Sequence, residues 1–177
     1  MGSDPMRLSK QGAIQINWRA MTELRPTIII DSREQRPLPI AAFPVETGTL
    51  PCGDYTVKGF GTWENPQFVI ERKSIPDLIN SLMSGRTRFM KEVEKLRQFR
   101  FAAILIEGRE ADVTSGEYLS RVTPQSILAS LSAIQVRAGI HIIWAGDRDG
   151  AVRVLEQLTR QFCRGIEKDH RRLLKAC

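Results

Sequence analysis

Five side chains are candidates for chemistry: Asp31, Asp54, Glu71, Lys73 and Asp77. Asp31 closes the short apolar run Ile28-Ile29-Ile30, and Asp54 follows Gly53 at the head of an alternating segment. Glu71 and Lys73 stand two apart in Val69-Ile70-Glu71-Arg72-Lys73. On a strand that spacing sends both side chains to one face and Arg72 to the other. A hairpin joining the strand of Asp54 to the strand of Glu71 brings the two carboxylates together across its ladder. Clustered carboxylates repel and raise one another's pKa. A hard divalent cation relieves that repulsion, and Mg²⁺ takes one or two carboxylates together with water and a substrate phosphate. A lysine beside it orients a water nucleophile or stabilises charge on the phosphoryl group in the transition state. An acid on one strand with Glu-x-Lys on the next is a minimal device for hydrolysing phosphodiesters. Each letter alone is weak. Glu-x-Lys is commonly a solvated strand edge, Asp31 could cap a turn, and Asp77 fits the start of a helix.

The elements that must position these residues can be read from periodicity. Compact structure starts at Thr27, with Ile28–Ile30 as a buried strand. Pro37, Pro39 and Pro44 make 32–44 mostly loop, with a helical turn expected at 39–43. Residues 45–50 and 54–58 read as strands. Gly59, Gly61 and Asn65-Pro66 mark a hairpin turn, and 68–72 is the returning strand. Ser74 then caps a helix that runs to Gly85, with Pro76 and Asp77 in its first turn. A second helix covers 86–98. Residues 101–107 (FAAILIE) and 140–144 read as buried strands, separated by a helix from Thr123-Pro124 to about Arg137. A long helix fills 148–174. Strands interleaved with helices give an α/β class, a central mixed sheet with helices on its faces.

The chain has 177 residues, 42% hydrophobic and 26% charged, with 26 basic and 20 acidic side chains for a net charge of +6. That composition fits one globular domain and excludes collagen, coiled coil and long disordered chains. The positive balance permits a polyanionic partner. Cys52, Cys163 and Cys177 are few, odd in number and far apart, which argues against a disulfide scaffold or a zinc site. No apolar run approaches the roughly 20 residues of a membrane span. An intracellular location, in cytoplasm, nucleoid or nucleus, is expected. Residues 1–5 read as an expression remnant ahead of Met6, and 1–26 as an N-terminal extension preceding a domain over 27–177.

The ordered series Asp31-Ser32-Arg33-Glu34, Gly53-Asp54-Tyr55, Glu71-Arg72-Lys73-Ser-Ile-Pro-Asp77 and Ser84-Gly85-Arg86 resembles the XPF-type structure-specific endonucleases. Their mark is a GD…ERKxxxD signature, and every letter of it is present. The resemblance runs from about 27 to at least 146 and includes FAAILIEG. It implies a restriction-endonuclease-like (PD-(D/E)xK) three-layer fold and DNA cleavage dependent on Mg²⁺ or Mn²⁺, leaving 5′-phosphate and 3′-hydroxyl ends. By the same resemblance Asp54 and Glu71 are the primary metal ligands, and Asp31 adds an acidic contact to the metal or its waters. Lys73 positions the attacking water or stabilises the transition state. Arg72 should face away from both and serve the structure, and Asp77 orients Lys73 or Arg72. Arg33, Glu34 and Arg86 support the site or hold the phosphate backbone, with Arg88 a further DNA contact. Branched DNA with duplex to single-strand junctions is the implied substrate class, in repair, recombination or replication. Family members commonly add a helicase or a tandem helix-hairpin-helix module. Residues 145–177 read here as one amphipathic helix without such a motif, so a protein partner supplying DNA binding is expected. The alternative reading is a DNA-binding or scaffolding subunit that needs a partner to cut.

Other features have two readings each. The tail holds Arg160, Arg164, Lys168, Arg171, Arg172 and Lys175 against Glu167 and Asp169. It is either a phosphate-binding surface or, more simply, the wet face of a helix. Ala129, Ser130, Ser132 and Ala133 permit close packing, within the chain or in a homodimer. Cys52 is a buried structural thiol or a reactive one. Phe60 and Trp63 either pack near the hairpin or stack on a base.

Overall fold

The computed structural model describes residues 6–8, 14–16, 26–118 and 120–176. The N-terminal extension falls mostly outside these. Within it, strands β1 (Met6–Leu8) and β2 (Ile14–Ile16) pair antiparallel as a separate two-stranded sheet.

The main sheet uses β3 (Ile28–Asp31), β4 (Val45–Gly48), β5 (Tyr55–Val57), β6 (Phe68–Ser74), β7 (Phe101–Glu107) and β8 (His141–Trp144). Their order is β4-β3-β5-β6-β7-β8. β5 runs antiparallel to both β3 and β6, while β6, β7 and β8 are mutually parallel. The helices are α1 (Ile75–Leu82), α2 (Arg86–Leu96), α3 (Glu110–Thr114), α4 (Pro124–Ala138) and α5 (Arg148–Ala176).

The first three residues of β6 and the first six of β7 are continuous apolar runs because both faces of the sheet are covered there. Val69, Ala102, Ile104 and Ile106 face one core, shared with Leu78 and Leu82 of α1, Phe89 and Val93 of α2 and Ile127 and Leu131 of α4. Phe68, Ile70, Ala103 and Leu105 face the other, closed by Ala151 and Leu155 of α5. This alternation sets Glu71 and Lys73 on the α1–α2 side and Arg72 on the α5 side. Local signals place the helices. The Ser74 side chain accepts the Asp77 N–H at 3.3 Å, and Thr123 accepts that of Ser126 at 3.3 Å. Gly139 ends α4 with φ +70°.

Two expectations are corrected. No helical turn forms at 39–43: Leu38 donates its N–H to the Tyr55 hydroxyl at 2.9 Å, and the segment stays bent around its prolines. The 140–144 strand is not fully buried. It is an edge strand paired only to β7, so Ile142, Ile143 and Trp144 are half-buried and His141 is exposed, stacking on Phe101 at 4.9 Å, while Ile140 just before it is buried. The short helix α3 lies in a stretch that periodicity left unassigned.

Candidate active site

Asp54 precedes β5 and is held to the backbone of β6 by two bonds. Its N–H donates to the Ile70 carbonyl at 2.8 Å, and its Oδ2 accepts the Arg72 N–H at 2.7 Å. Tyr55 pairs with Ile70, so the ladder sets Asp54 beside Glu71. The tight entry needs Gly53. Its φ is +71°, and a Cβ there would strike the Val69 side chain and approach the Ile70 carbonyl oxygen at 3.1 Å. Glu71 is 4% exposed, and Lys73 Nζ reaches its Oε1 at 2.6 Å. The Lys73 ammonium also lies 5.4 Å from the centroid of the Phe89 ring.

The electrostatics of this trio are unbalanced. Burial, and then the charge of Glu71, push Asp54 up to about 8, while the Arg72 N–H pulls the other way. Burial also raises Glu71, against the pull of Lys73. Lys73 is raised: burial works against its charge, but the Glu71 carboxylate outweighs it. Glu92 of α2 adds further negative charge to the field at Glu71. Two carboxylates thus share one cation. That donor set fits a hard divalent ion, which would supply the missing positive charge.

Asp31 is placed differently. Its carboxylate takes a forked pair of bonds from Arg33, Nε at 2.7 Å and Nη2 at 2.9 Å, and the backbone N–H groups of Arg33 at 2.9 Å and Leu50 at 2.7 Å. Burial opposes its ionisation, but these donors hold it below the usual carboxylate range. Among the described residues no three His, Cys, Asp or Glu side chains form a group that could hold a metal ion. Asp54 and Glu71 come together, and Asp31 stands beside Asp54 on the neighbouring strand, its N–H donating to the Asp54 carbonyl at 2.8 Å, with its carboxylate taken up by Arg33 and the Leu50 N–H. Arg33 is locked onto Asp31 and also donates to the Leu50 carbonyl at 2.8 Å.

Arg72 lies on the opposite face, 9% exposed at its side chain. It grips Glu34 through two bonds of 3.0 and 3.1 Å and Glu107 at 2.6 Å. Burial works against ionisation of Glu34, and the Arg72 guanidinium outweighs it and lowers its pKa. Glu107 in turn meets Arg148 at 3.4 Å, and Arg148 donates to the carbonyls of Arg36 at 3.0 Å and Pro37 at 2.6 Å. The chain of ion pairs ties β6, β7, the start of α5 and the loop after β3 together directly behind Asp54. Asp77 bonds the Ser74 hydroxyl at 2.9 Å and serves the helix start. Arg86 bonds Ser130 of α4 at 3.3 Å, and Arg88 is exposed on α2. Glu107 and Arg148 were missed from sequence. Glu107 carried the same signal as Asp31, an acid closing an apolar strand; Arg148 carried none. Cys52 sits in the core, 4% exposed, and burial pushes its thiol up to about 12. Phe60 packs edge-on against Phe162 at 5.3 Å.

A mixed sheet between two helical layers, with Asp54 at the entry to β5 brought beside Glu71 and Lys73 of β6, defines a nuclease domain of the restriction-endonuclease-like fold. Comparison with known proteins places it more closely. The ERCC4 domain model matches residues 30–158, and the chain belongs to that family, whose fold is that of the XPF-type nuclease domain. The DNA repair endonuclease XPF of Cricetulus griseus is 26% identical over 144 residues, 76% of this chain and 15% of that protein. The XPF structure from Aeropyrum pernix superposes with a TM-score of 0.61 at 27% identity, covering 77% of this chain and 61% of that one. The same archaeal protein in complex with DNA gives 0.62 at 26% identity, covering 80% and 66%. The chain thus spans a minor part of the hamster protein and under two thirds of the archaeal chain in the first of these structures. No helix among the described residues is long and apolar enough to cross a membrane.

Proposed function

We propose that this domain is a DNA endonuclease that hydrolyses phosphodiester bonds with Mg²⁺ or Mn²⁺ held by Asp54 and Glu71. The observation that carries the reading is the partly desolvated pair of carboxylates beside one lysine, on elements the chain shares with XPF nuclease domains. Bound there, the ion supplies Lewis-acid activation of the scissile phosphate and of the water that attacks it. Lys73 stays protonated through its contact with Glu71, so it offsets charge that develops on the phosphate oxygens. The Arg72 backbone N–H fixes the Asp54 carboxylate in its orientation. The Phe89 ring walls the lysine on the α2 side. The products are a 5′-phosphate and a 3′-hydroxyl, and the substrate is branched or flapped DNA inside the cell. Two similarities support the DNA reading: the hamster relative is a DNA repair endonuclease, and the archaeal one is solved with DNA.

The test is cleavage of end-labelled single strand, duplex, splayed arm, 3′ flap, 5′ flap and four-way junction. Each is run with Mg²⁺, with Mn²⁺ and with EDTA, beside Lys73→Ala. Metal-dependent cuts near a branch that vanish in Lys73→Ala are expected. Binding without cutting on every substrate overturns the autonomous enzyme and leaves a DNA-binding subunit that needs a partner.

A further inference from the structure

We propose that the outer face of the distal half of α5 is a second contact for the phosphodiester backbone of DNA, on a segment other than the one being cut. The proposal rests on DNA being the substrate. Charge divides this helix sharply. Its first part, 148–159, carries two cations and two carboxylates, and one of each is used inside the molecule: Arg148 holds Glu107, and Glu156 accepts the N–H groups of Ala41 and Ala42 at 3.2 and 3.0 Å. From 160 onward there are six cations, Arg160, Arg164, Lys168, Arg171, Arg172 and Lys175, against Glu167 and Asp169.

Geometry sorts these charges further. At 3.6 residues per turn all six cations fall within an arc of about 120°, opposite the side that packs on the sheet. All six are exposed. Asp169 lies outside the arc and turns to Arg100 of the domain body at 3.4 Å. Glu167 sits at the arc's edge and meets Arg171 at 3.9 Å. Arg160 lies over the Phe43 ring at 5.4 Å. Among the described residues no carboxylate pairs with Arg164, Lys168, Arg172 or Lys175.

An ordinary solvated helix face mixes signs and gains from pairs four apart. This one sets like charges four apart, Arg160–Arg164–Lys168–Arg172 and Arg171–Lys175, which destabilises a helix. A polyanion laid along the face turns that repulsion into attraction. Arg164 to Lys175 spans about 16 Å of helix, the axial length of about five base pairs. The face lies on the α5 side of the sheet, at the end where β7 begins, because Asp169 reaches Arg100 there. Glu71 and Lys73 are on the other face, late in β6. One straight duplex segment does not lie on both, whereas two arms of a branched molecule can.

The test uses the full chain with Arg164, Lys168, Arg172 and Lys175 changed together to Gln, and a second variant with Arg164→Lys and Arg172→Lys. Fluorescence anisotropy of a labelled splayed-arm DNA is read in EDTA across a salt series. Each lost phosphate contact removes about 0.9 from the slope of log affinity against log salt, so the Gln variant should lose about 2 to 3.6. Its affinity at low salt should fall at least about tenfold. The Lys variant should keep the slope. A Gln variant with unaltered affinity and slope overturns this inference alone. So does DNA binding that is unaltered while binding to phosphatidylserine vesicles is lost. A wild-type chain that neither binds nor cuts any DNA overturns the functional reading with it.

Discussion

Asp54→Asn should make the metal-free protein more stable while abolishing cleavage. Asp54 bears a carboxyl that folding pushes from 3.8 up to about 8, through burial and the neighbouring Glu71. The folded chain therefore keeps a proton on Asp54 that the unfolded chain releases above its ordinary pKa. Unfolding between those values releases a proton, so stability falls as pH rises from about 4 to about 8. At about 1.4 kcal/mol per pH unit, the ceiling on this penalty is about 6 kcal/mol. Asp54 is only half-buried, and solvent screens part of the repulsion, so about 2 kcal/mol is the expected gain at pH 8. Asparagine keeps an oxygen to accept the Arg72 N–H, which limits the change to charge. In a domain of this size the gain corresponds to about 4–8 °C in Tm. Thermal unfolding of both proteins in EDTA, from pH 5 to 9, measures it. The two curves should converge toward pH 4 and separate as pH rises. Saturating Mn²⁺ should then stabilise the wild type, by about 2.7 kcal/mol at a hundredfold excess over Kd, and leave the variant unmoved. Equal stability at pH 8, or a gain that does not grow with pH, would refute the reasoning.

Three further perturbations probe the scaffold behind the carboxylates. Arg72→Gln leaves Glu34 and Glu107 without their shared buried cation, and urea denaturation should show a loss of about 3–5 kcal/mol; a loss below about 1 kcal/mol would mean the clamp is slack. Gly53→Ala forces a side chain into φ +71° and against Val69, so Tm should drop by at least about 4 °C, and cleavage should fall because Asp54 is the next residue. Arg148→Gln removes the bonds to Glu107 and to the carbonyls of Arg36 and Pro37. It should cost about 1–3 kcal/mol and speed amide exchange at 34–38, and unchanged exchange there would count against the link.

What was legible in the sequence was what depends on neighbours in the chain. Ser74 with Asp77, Thr123 with Pro124, and the Glu71–Lys73 spacing each act within one turn or one pleat, and each element formed where those signals put it. The gaps arose where a residue's fate depends on what packs against it. Residues 140–144 are as apolar as 101–107, but β8 has a strand on one side only, and no local pattern reports a sheet edge. The turn expected at 39–43 lost to the Tyr55 hydroxyl, a partner 17 positions from Leu38. The place of Asp31 at the end of a buried strand was legible, but the partners of its carboxylate were not. Its occupation by Arg33 and the Leu50 N–H depends on a loop whose path the sequence does not display.

Strand alternation also explains why the ERK triplet needs both of its basic residues. Glu71 and Lys73 face the α1–α2 layer, where a partly desolvated, weakly screened carboxylate pair is the working surface. Arg72, between them, faces the α5 layer and neutralises Glu34 and Glu107 there. The same residue lends its backbone N–H to Asp54 on the working side. One peptide thus anchors the strand through its side chain on one face and orients a carboxylate with its backbone at the sheet. Lysine at position 72 would keep the charge but lose the fork that spans two carboxylates. The cost should therefore fall on folding before it falls on chemistry. Lysine at 73 has the opposite demand, since its compact ammonium must reach Glu71 Oε1 at 2.6 Å beside the Phe89 ring. An arginine there would fork onto Glu71 and hold the carboxylate that the ion has to share.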